Sequence, residues 1–305
     1  MNISGSLKLI GNTPLIKLIN IVPDNHANVW LKYEAGNPTG SFKDRMALSV
    51  IKNALVDGKI KKGDRLIEYT GGSTGSSLAF VSAALGLKFT AVFSDAFSIT
   101  KKQMMDVFGA DVLIEKSFGK GITPELINRM KERTLKISND ENIFYVDQFG
   151  SSNVIKGYIP MGKEIISELD KVDVFCASVG TAGALMGTFK GLKSPKTKLI
   201  AFEPSQSPFI SSGKGGSHKV EGIGVGFMPP FLDKSALNSI ISINQDDAFD
   251  MCRKLAKDEG IFCGGSTGMN VYGAIKIAGD LGKGYDVVTL GCDNGIKYLG
   301  SHIYS

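Results

Sequence analysis

The chain has 305 residues, of which 43% are hydrophobic and 21% charged, proportions typical of a globular enzyme with a sizeable core. No apolar run reaches the ~18 residues of a membrane-spanning helix, and the start of the chain lacks the pattern of a secretion signal, so we expect a cytoplasmic protein. The net charge of +5 comes from lysines spread along the chain without a basic stripe among aromatic residues, which argues against nucleic-acid binding.

Apolar strands alternate with amphipathic helices along the chain. In chain order, the pattern predicts strand 29–33, helix 41–54, strand 65–69, helix 76–85, strand 89–93, helix 101–108, strand 172–177, helix 183–191, strand 198–202, helix 269–281 and strand 286–290. This alternation predicts mostly parallel sheets covered by helices, arranged as two α/β lobes. We place the boundary near residue 150, because residues 149–152 have the composition of a linker.

The cysteines and the glycines of the sequence support two separate predictions. The four cysteines, Cys176, Cys252, Cys263 and Cys292, show no CxxC spacing, so we predict free buried thiols and no metal site. The 37 glycines exceed the ordinary share of ~7% and cluster after predicted strands. Because ligands of open α/β sheets bind beyond the carboxyl ends of the strands, these clusters predict a common cleft.

The segment 37–45 combines a turn, a helix start and a lysine. Pro38 and Gly40 favour the turn, and Ser41 is suited to cap the helix that follows. Lys43 then lies in the first helical turn, where the helix dipole disfavours a cation and favours a neutral amine able to attack an aldehyde. The alternative is a surface lysine beside Asp44.

Two further segments each join a strand end to a helix start. Residues 70–75 carry hydroxyl groups and glycines, a composition that binds an anion such as a substrate carboxylate. The alternative is a capped helix start with surplus hydroxyls. Residues 180–184 predict a second anion loop, of the kind that wraps a phosphate, although they match neither the P-loop nor the GxGxxG pattern. Residues 221–227 and 262–268 could by themselves be turns.

Together these five segments resemble the cysteine synthase and cystathionine β-synthase family, the tryptophan-synthase-like (fold type II) pyridoxal-phosphate enzymes. The resemblance runs from Gly11 to Leu299. It implies an α/β fold of two lobes, each a mostly parallel twisted sheet flanked by helices, with pyridoxal 5'-phosphate in the cleft between them. Lobe 1–150 would carry the Schiff-base lysine and the carboxylate loop, with residues up to about 35 able to pack on the other lobe. Lobe 151–305 would carry the phosphate cup.

The resemblance assigns roles residue by residue. Lys43 corresponds to the Schiff-base lysine and catalytic base, and Ser266 to the serine that faces the pyridine nitrogen. The phosphate cup corresponds to Gly180, Thr181, Ala182, Gly183 and Ala184. The substrate-binding positions are Thr70, Gly71, Gly72, Ser73, Thr74, Gln148 and Gly224, with Ser73 also near the cofactor ring. The histidines His26, His218 and His302 lie outside these motifs, so we assign them no catalytic role.

Three positions depart from the family pattern. Gly71 replaces a serine, Ser73 replaces an asparagine that contacts the cofactor ring oxygen, and Ala184 replaces a threonine of the cup. The missing hydroxyl at Gly71 is expected to open space beside the β-carbon, which would admit a bulkier leaving group or a thiol nucleophile.

The resemblance implies chemistry at the β-carbon of a small amino acid. Cysteine synthase activity, in which sulfide replaces the acetate of O-acetylserine, is the leading expectation. Cysteine desulfhydrase and cystathionine- or lanthionine-type β-synthase activity, both releasing hydrogen sulfide from cysteine, remain open, as does a catalytically impaired cofactor-binding paralogue. The missing GxGxxG disfavours a nicotinamide dehydrogenase. Expected partners are the amino acid, sulfide or a thiol, and a second copy in a homodimer; serine acetyltransferase follows from the resemblance alone.

Overall fold

The computed structural model describes residues 4–141 and 143–304, which form helices and strands in alternation. Within these ranges the strands are β1 Leu15–Lys17, β2 Asn28–Tyr33, β3 Arg65–Tyr69, β4 Lys88–Ser94, β5 Asp111–Glu115, β6 Phe144–Tyr145, β7 Val174–Ser178, β8 Lys198–Pro204, β9 Ser239–Ile243 and β10 Asp286–Gly291. The α-helices are α1 Lys43–Val56, α2 Ser73–Leu85, α3 Ile99–Val107, α4 Pro124–Asp140, α5 Asn153–Glu168, α6 Gly183–Leu192, α7 Phe209–Ser212, α8 Gln245–Lys254 and α9 Gly265–Leu281. The α/β class expected from the sequence is confirmed.

The chain folds into two compact units. Unit 1 contains residues 4–10 and Lys43–Gly157, and unit 2 contains Gly11–Phe42 and residues 158–304. The segment 149–152, which has a linker-like composition, lies in unit 1 at the turn before α5.

Unit 1 is built on a sheet of four parallel strands in the order β5-β4-β3-β6. Its core lies on the face covered by α4, where Ile67 of β3 and Val92 of β4 pack with Leu126 and Met130 of the helix. Burial of such side chains is worth roughly 1.5–3 kcal/mol each, which holds the helix on the sheet. The loops after β3 and β4 therefore leave the same edge of a rigid sheet.

Unit 2 is built on a sheet of six strands in the order β1-β2-β10-β7-β8-β9. The short strand β1 pairs antiparallel with β2, and the remaining neighbours are parallel. Val29, Val174, Phe202 and Val287 are fully or almost fully buried, as expected for strands that are covered on both faces. Parallel pairing places the ends of β7, β8 and β10 at one edge, where the glycine-rich segments follow.

Every strand and helix predicted above is present; β3 has the predicted ends, and the other elements have one or both ends shifted by one to four residues. The predicted start of α1 at Ser41 is wrong: the helix begins at Lys43, so Phe42 directly precedes it. Ser41 instead forms an isolated antiparallel bridge with Asp293, and the Phe42 N–H donates to the Cys292 carbonyl at 3.0 Å. This pairing holds Ser41 in a bridge one residue before the position that precedes the helix, so Ser41 lies outside the capping position.

Two other expectations can be compared with the fold. All four cysteines are buried and free, as predicted. Across residues 4–141 and 143–304, no helix combines the length and the apolar character that crossing a membrane requires.

Candidate active site

Lys43 is the first residue of α1 and is almost completely buried, with 9% of its surface exposed. Its neighbours Asp44 and Arg45 are buried as well. The alternative of a surface lysine is therefore excluded. Lysine side chains are rarely buried, because removing an ammonium group from water is costly.

The carboxylate loop, residues 70–75, is organised by the hydroxyl group of Thr70. Thr70 Oγ1 accepts hydrogen bonds from the N–H groups of Gly72 at 3.0 Å and Gly75 at 3.1 Å. Gly72 has φ 131°, a backbone conformation that favours glycine, and α2 begins directly after it at Ser73. The helix thus begins three residues earlier than predicted, so that Ser73 and Thr74 lie in its first turn, and N–H groups of such a turn suit an anion.

Gln148 lies in the turn after β6 and forms hydrogen bonds with this loop and with the residue before it. Its Nε2 donates to the Tyr69 carbonyl at 2.9 Å, and its Oε1 accepts from the Thr74 hydroxyl at 2.9 Å. The carbonyl partner fixes the amide orientation, because only the NH₂ group can face it. Thr74 therefore donates its single hydroxyl proton to Gln148. The structure thus brings together Gln148 and Thr74, which are far apart in the sequence.

The expectation of open space at Gly71 is wrong. A Cβ atom at Gly71 would lie 3.0 Å from Cε1 and 3.3 Å from Cζ of Phe97, in the turn after β4. The aromatic ring thus occupies the volume that a serine side chain would need, and Phe93 supports it with ring centroids 5.5 Å apart. No sequence spacing indicated Phe97, since it approaches the loop only through the parallel pairing of β3 and β4.

The predicted phosphate cup, residues 180–184, joins β7 to α6 in unit 2. Ala182 has φ 66°, the left-handed conformation, and directly precedes Gly183, the first residue of α6. The Gly183 N–H donates to Thr181 Oγ1 at 3.2 Å. A Cβ atom at Gly180 would lie 2.2 Å from the Gly222 carbonyl oxygen, so only glycine allows these two backbone segments to approach.

Gly224 lies beside the cup in the same unit. Its N–H donates to the Val179 carbonyl at 3.0 Å, and its own carbonyl oxygen lies 3.0 Å from Nε2 of His218. Burial lowers the pKa of His218, which favours the neutral ring with Nε2 as the donor. His218 thus supports the segment that the family pattern places around Gly224, a structural contact that its loop position did not reveal.

Ser266 lies in the first turn of α9, with 7% of its surface exposed. Asn270, one turn later and fully buried, ties this helix to both neighbouring strands. Its Oδ1 accepts from the Ser178 N–H at 2.7 Å, and its Nδ2 donates to the Leu290 carbonyl at 2.8 Å. Asn270 therefore fixes the start of α9 relative to the strand that leads into the cup, a role that the sequence did not indicate.

Comparisons with known proteins identify the family of the chain. The family model described as pyridoxal-phosphate dependent enzyme matches residues 7–293. A cysteine synthase of Staphylococcus aureus (strain N315) is 39% identical over 303 residues, which cover 98% of this chain and 96% of that protein.

Two solved structures extend the similarity. O-ureido-L-serine synthase superposes with a TM-score of 0.92 at 29% identity, covering 100% of this chain and 96% of the other. A hydrogen sulfide-producing enzyme from Fusobacterium nucleatum superposes with a TM-score of 0.89 at 36% identity, covering 98% and 100%. With its family match and its near-complete coverage by a cysteine synthase, this chain belongs to the pyridoxal-phosphate dependent enzymes and is a relative of the cysteine synthases.

Proposed function

We propose that the protein replaces the acetate group of O-acetyl-L-serine with sulfide, giving L-cysteine and acetate. The bond from the β-carbon to the ester oxygen breaks, acetate leaves with the electron pair, and hydrosulfide supplies the new carbon–sulfur bond. The observation that carries this proposal is the near-complete alignment with a cysteine synthase at 39% identity, together with a buried lysine at the start of α1.

The residues of both units fit pyridoxal phosphate. In unit 2, the close approach of Gly180 to Gly222 and the left-handed Ala182 shape a backbone cradle at the start of α6. Such a cradle suits a phosphate group. Ser266 would offer a neutral hydroxyl to the ring nitrogen, and Lys43 would hold the cofactor through its amine. When bound, the cofactor supplies an electron sink for the carbon that loses a proton.

The protein's own groups then position and deprotonate the substrate. The Gln148 amide would bind the substrate carboxylate, together with N–H groups of the first turn of α2. Lys43 Nζ would take the proton from the α-carbon. Thr70 keeps the loop in shape by accepting the N–H groups of Gly72 and Gly75, and its own O–H proton would be its contribution to binding the substrate.

A second activity is favoured by the similarity to the hydrogen sulfide-producing enzyme of F. nucleatum. Cysteine would lose hydrosulfide from its β-carbon, and water or a second thiol would complete the reaction, giving pyruvate and ammonia or a thioether amino acid. Lys43 and Ser266 are both present, which argues against a catalytically impaired paralogue.

The test is a product assay with the cofactor-loaded protein. O-acetylserine, serine and cysteine are each supplied with and without sulfide, and cysteine, pyruvate and released sulfide are measured. We expect cysteine from O-acetylserine with sulfide, and its loss in Lys43→Ala but not in the exposed control Lys59→Ala. Full cofactor loading without any product from these substrates would refute the proposal.

Assembly and location belong to the same proposal. A homodimer is supported by the family resemblance and is tested by the mass of the protein in solution. Serine acetyltransferase, as a partner, is supported by the resemblance alone, and a pull-down with purified proteins would test it. Four free, buried thiols suit a reducing compartment such as the cytoplasm.

A further inference from the structure

Glu68 is a fully buried carboxylic acid directly before the carboxylate loop. It lies in β3, with 0% of its surface exposed. Acidic side chains are almost never fully buried unless something specific holds them. Its position, two residues before Thr70, raises the question of what this acid does for the loop.

The two oxygens of Glu68 each accept a backbone N–H. Oε1 accepts from Tyr69 at 3.0 Å, and Oε2 accepts from Gln148 at 2.9 Å. The second bond spans 80 residues and joins the end of β3 to the turn after β6. Asp147, directly before Gln148, has φ 56°, a strained backbone for a residue other than glycine. Glu68 therefore holds the residue after a strained position.

That bond holds the backbone from which the Gln148 side chain extends. The side-chain amide is held by the Tyr69 carbonyl and the Thr74 hydroxyl. Removal of the Glu68 bond would leave the Gln148 backbone less firmly held, so that the amide would depend on its two side-chain partners alone.

We propose that Glu68 is a positioning residue, which acts through Gln148 to prepare the site for the carboxylate of the amino-acid substrate. This proposal rests on the proposed function for the identity of the substrate. It assigns Glu68 no contact with the substrate or the cofactor.

The charge of Glu68 adds a second way of testing this role. Burial raises its pKa to about 8, against smaller opposing effects of the hydrogen bonds from Gln148 and Tyr69, and Asp147 raises it further. The other titratable neighbours are Tyr69 and Tyr145, whose own pKa values are also raised by burial, so both stay neutral. Near pH 7 the group is thus protonated. Above pH 8 it becomes an anion beside the residue that receives a carboxylate.

The experiment uses the cofactor-loaded protein and three variants. Glu68→Leu removes both acceptors, Glu68→Gln keeps one acceptor and cannot ionise, and Glu259→Leu is the control. Glu259 likewise accepts hydrogen bonds from backbone N–H groups, those of Ile19, Asn20 and Ile21, but forms no hydrogen bond to the carboxylate loop. The readouts are kcat and KM for the amino acid, the spectral titration of a carboxylate amino acid, and hydrogen exchange at the Gln148 N–H.

We expect Glu68→Leu to raise KM about fivefold to tenfold, as for the loss of one directed hydrogen bond, with a smaller effect on kcat. Glu68→Gln keeps one acceptor, so its KM near pH 7 should lie between those of the native protein and Glu68→Leu, and it should lack the rise in KM that we expect of the native protein above pH 8. Glu259→Leu should leave KM unchanged. Gln148 exchange should be faster in both Glu68 variants and unchanged in the control.

Two results would overturn the proposal. One is a loaded Glu68→Leu protein with native KM and native exchange at Gln148. The other is a Glu68→Gln protein that keeps native exchange at Gln148 and the native rise of KM above pH 8. This second result is decisive if Glu68→Leu does not fold. Hydrogen exchange and amino-acid titration need no turnover, so they remain informative if the native protein proves inactive on O-acetylserine, which would refute the proposed function instead.

Discussion

The contact between Gly71 and Phe97 predicts that a serine at position 71 will be harmful. The new Cβ atom would lie 3.0 Å, 3.3 Å and 3.4 Å from three carbons of the Phe97 ring, against 3.5–4.0 Å for an ordinary carbon contact. Relief requires the ring to move by a few tenths of an ångström against Phe93. Overpacking costs about 1–3 kcal/mol. Because Phe97 is only half-buried, we expect the lower end, about 1 kcal/mol.

A double-mutant cycle measures this strain. Gly71→Ser, Phe97→Ala and the double variant are compared by thermal unfolding, where 1 kcal/mol corresponds to roughly 2–4 °C. Gly71→Ser should lower the melting temperature in the native background and have little effect when Phe97 is alanine. Gly300→Ser serves as the control, because a Cβ atom at Gly300 meets nothing within 4 Å. An equal cost of Gly71→Ser in both backgrounds would show that the ring is not the cause and would refute this reasoning.

Three further predictions concern the cup and the buried acid. Gly180→Ala should reduce the affinity for pyridoxal phosphate far more than Thr181→Ala, because the Cβ atom of an alanine at position 180 would lie 2.2 Å from the Gly222 carbonyl oxygen. Titration with the cofactor measures both affinities. Equal affinities of the two variants would contradict this prediction. Ala182→Gly should stabilise unit 2 by about 1 kcal/mol, since the left-handed backbone at Ala182 costs an L-residue about 1–2 kcal/mol. An unchanged melting temperature would argue against backbone strain at Ala182. Burial raises the pKa of Glu68 from 4.5 to about 8, so the folded protein retains a proton that the unfolded chain has lost. Stability from this group is present below pH 4.5 and is lost as the pH rises to 8, by about 1.4 kcal/mol per unit of pKa difference. Glu68→Gln should therefore narrow the difference in melting temperature between pH 5 and pH 8.5, and an undiminished difference would show that other groups cause it.

The sequence by itself determined the central strands and the position of the lysine. Apolar runs predicted β2, β3, β4, β7, β8 and β10, because burial on both faces requires such runs, whereas β1, β5, β6 and β9 were not predicted. Hydroxyls and glycines after β3 and β7 predicted anion loops, because helix starts need them there. Lys43 was assigned from its segment, since local features such as a turn and a helix start are encoded within a few neighbouring residues.

Only the tertiary structure decided what surrounds those loops. The space at Gly71 is closed by Phe97, Gln148 is held by Glu68, and His218 supports Gly224. In each case the partners belong to different segments, brought together by strand pairing and by the path of a loop. Periodicity and spacing describe one segment at a time, so they carry no information about which side chain from another segment fills the neighbouring volume.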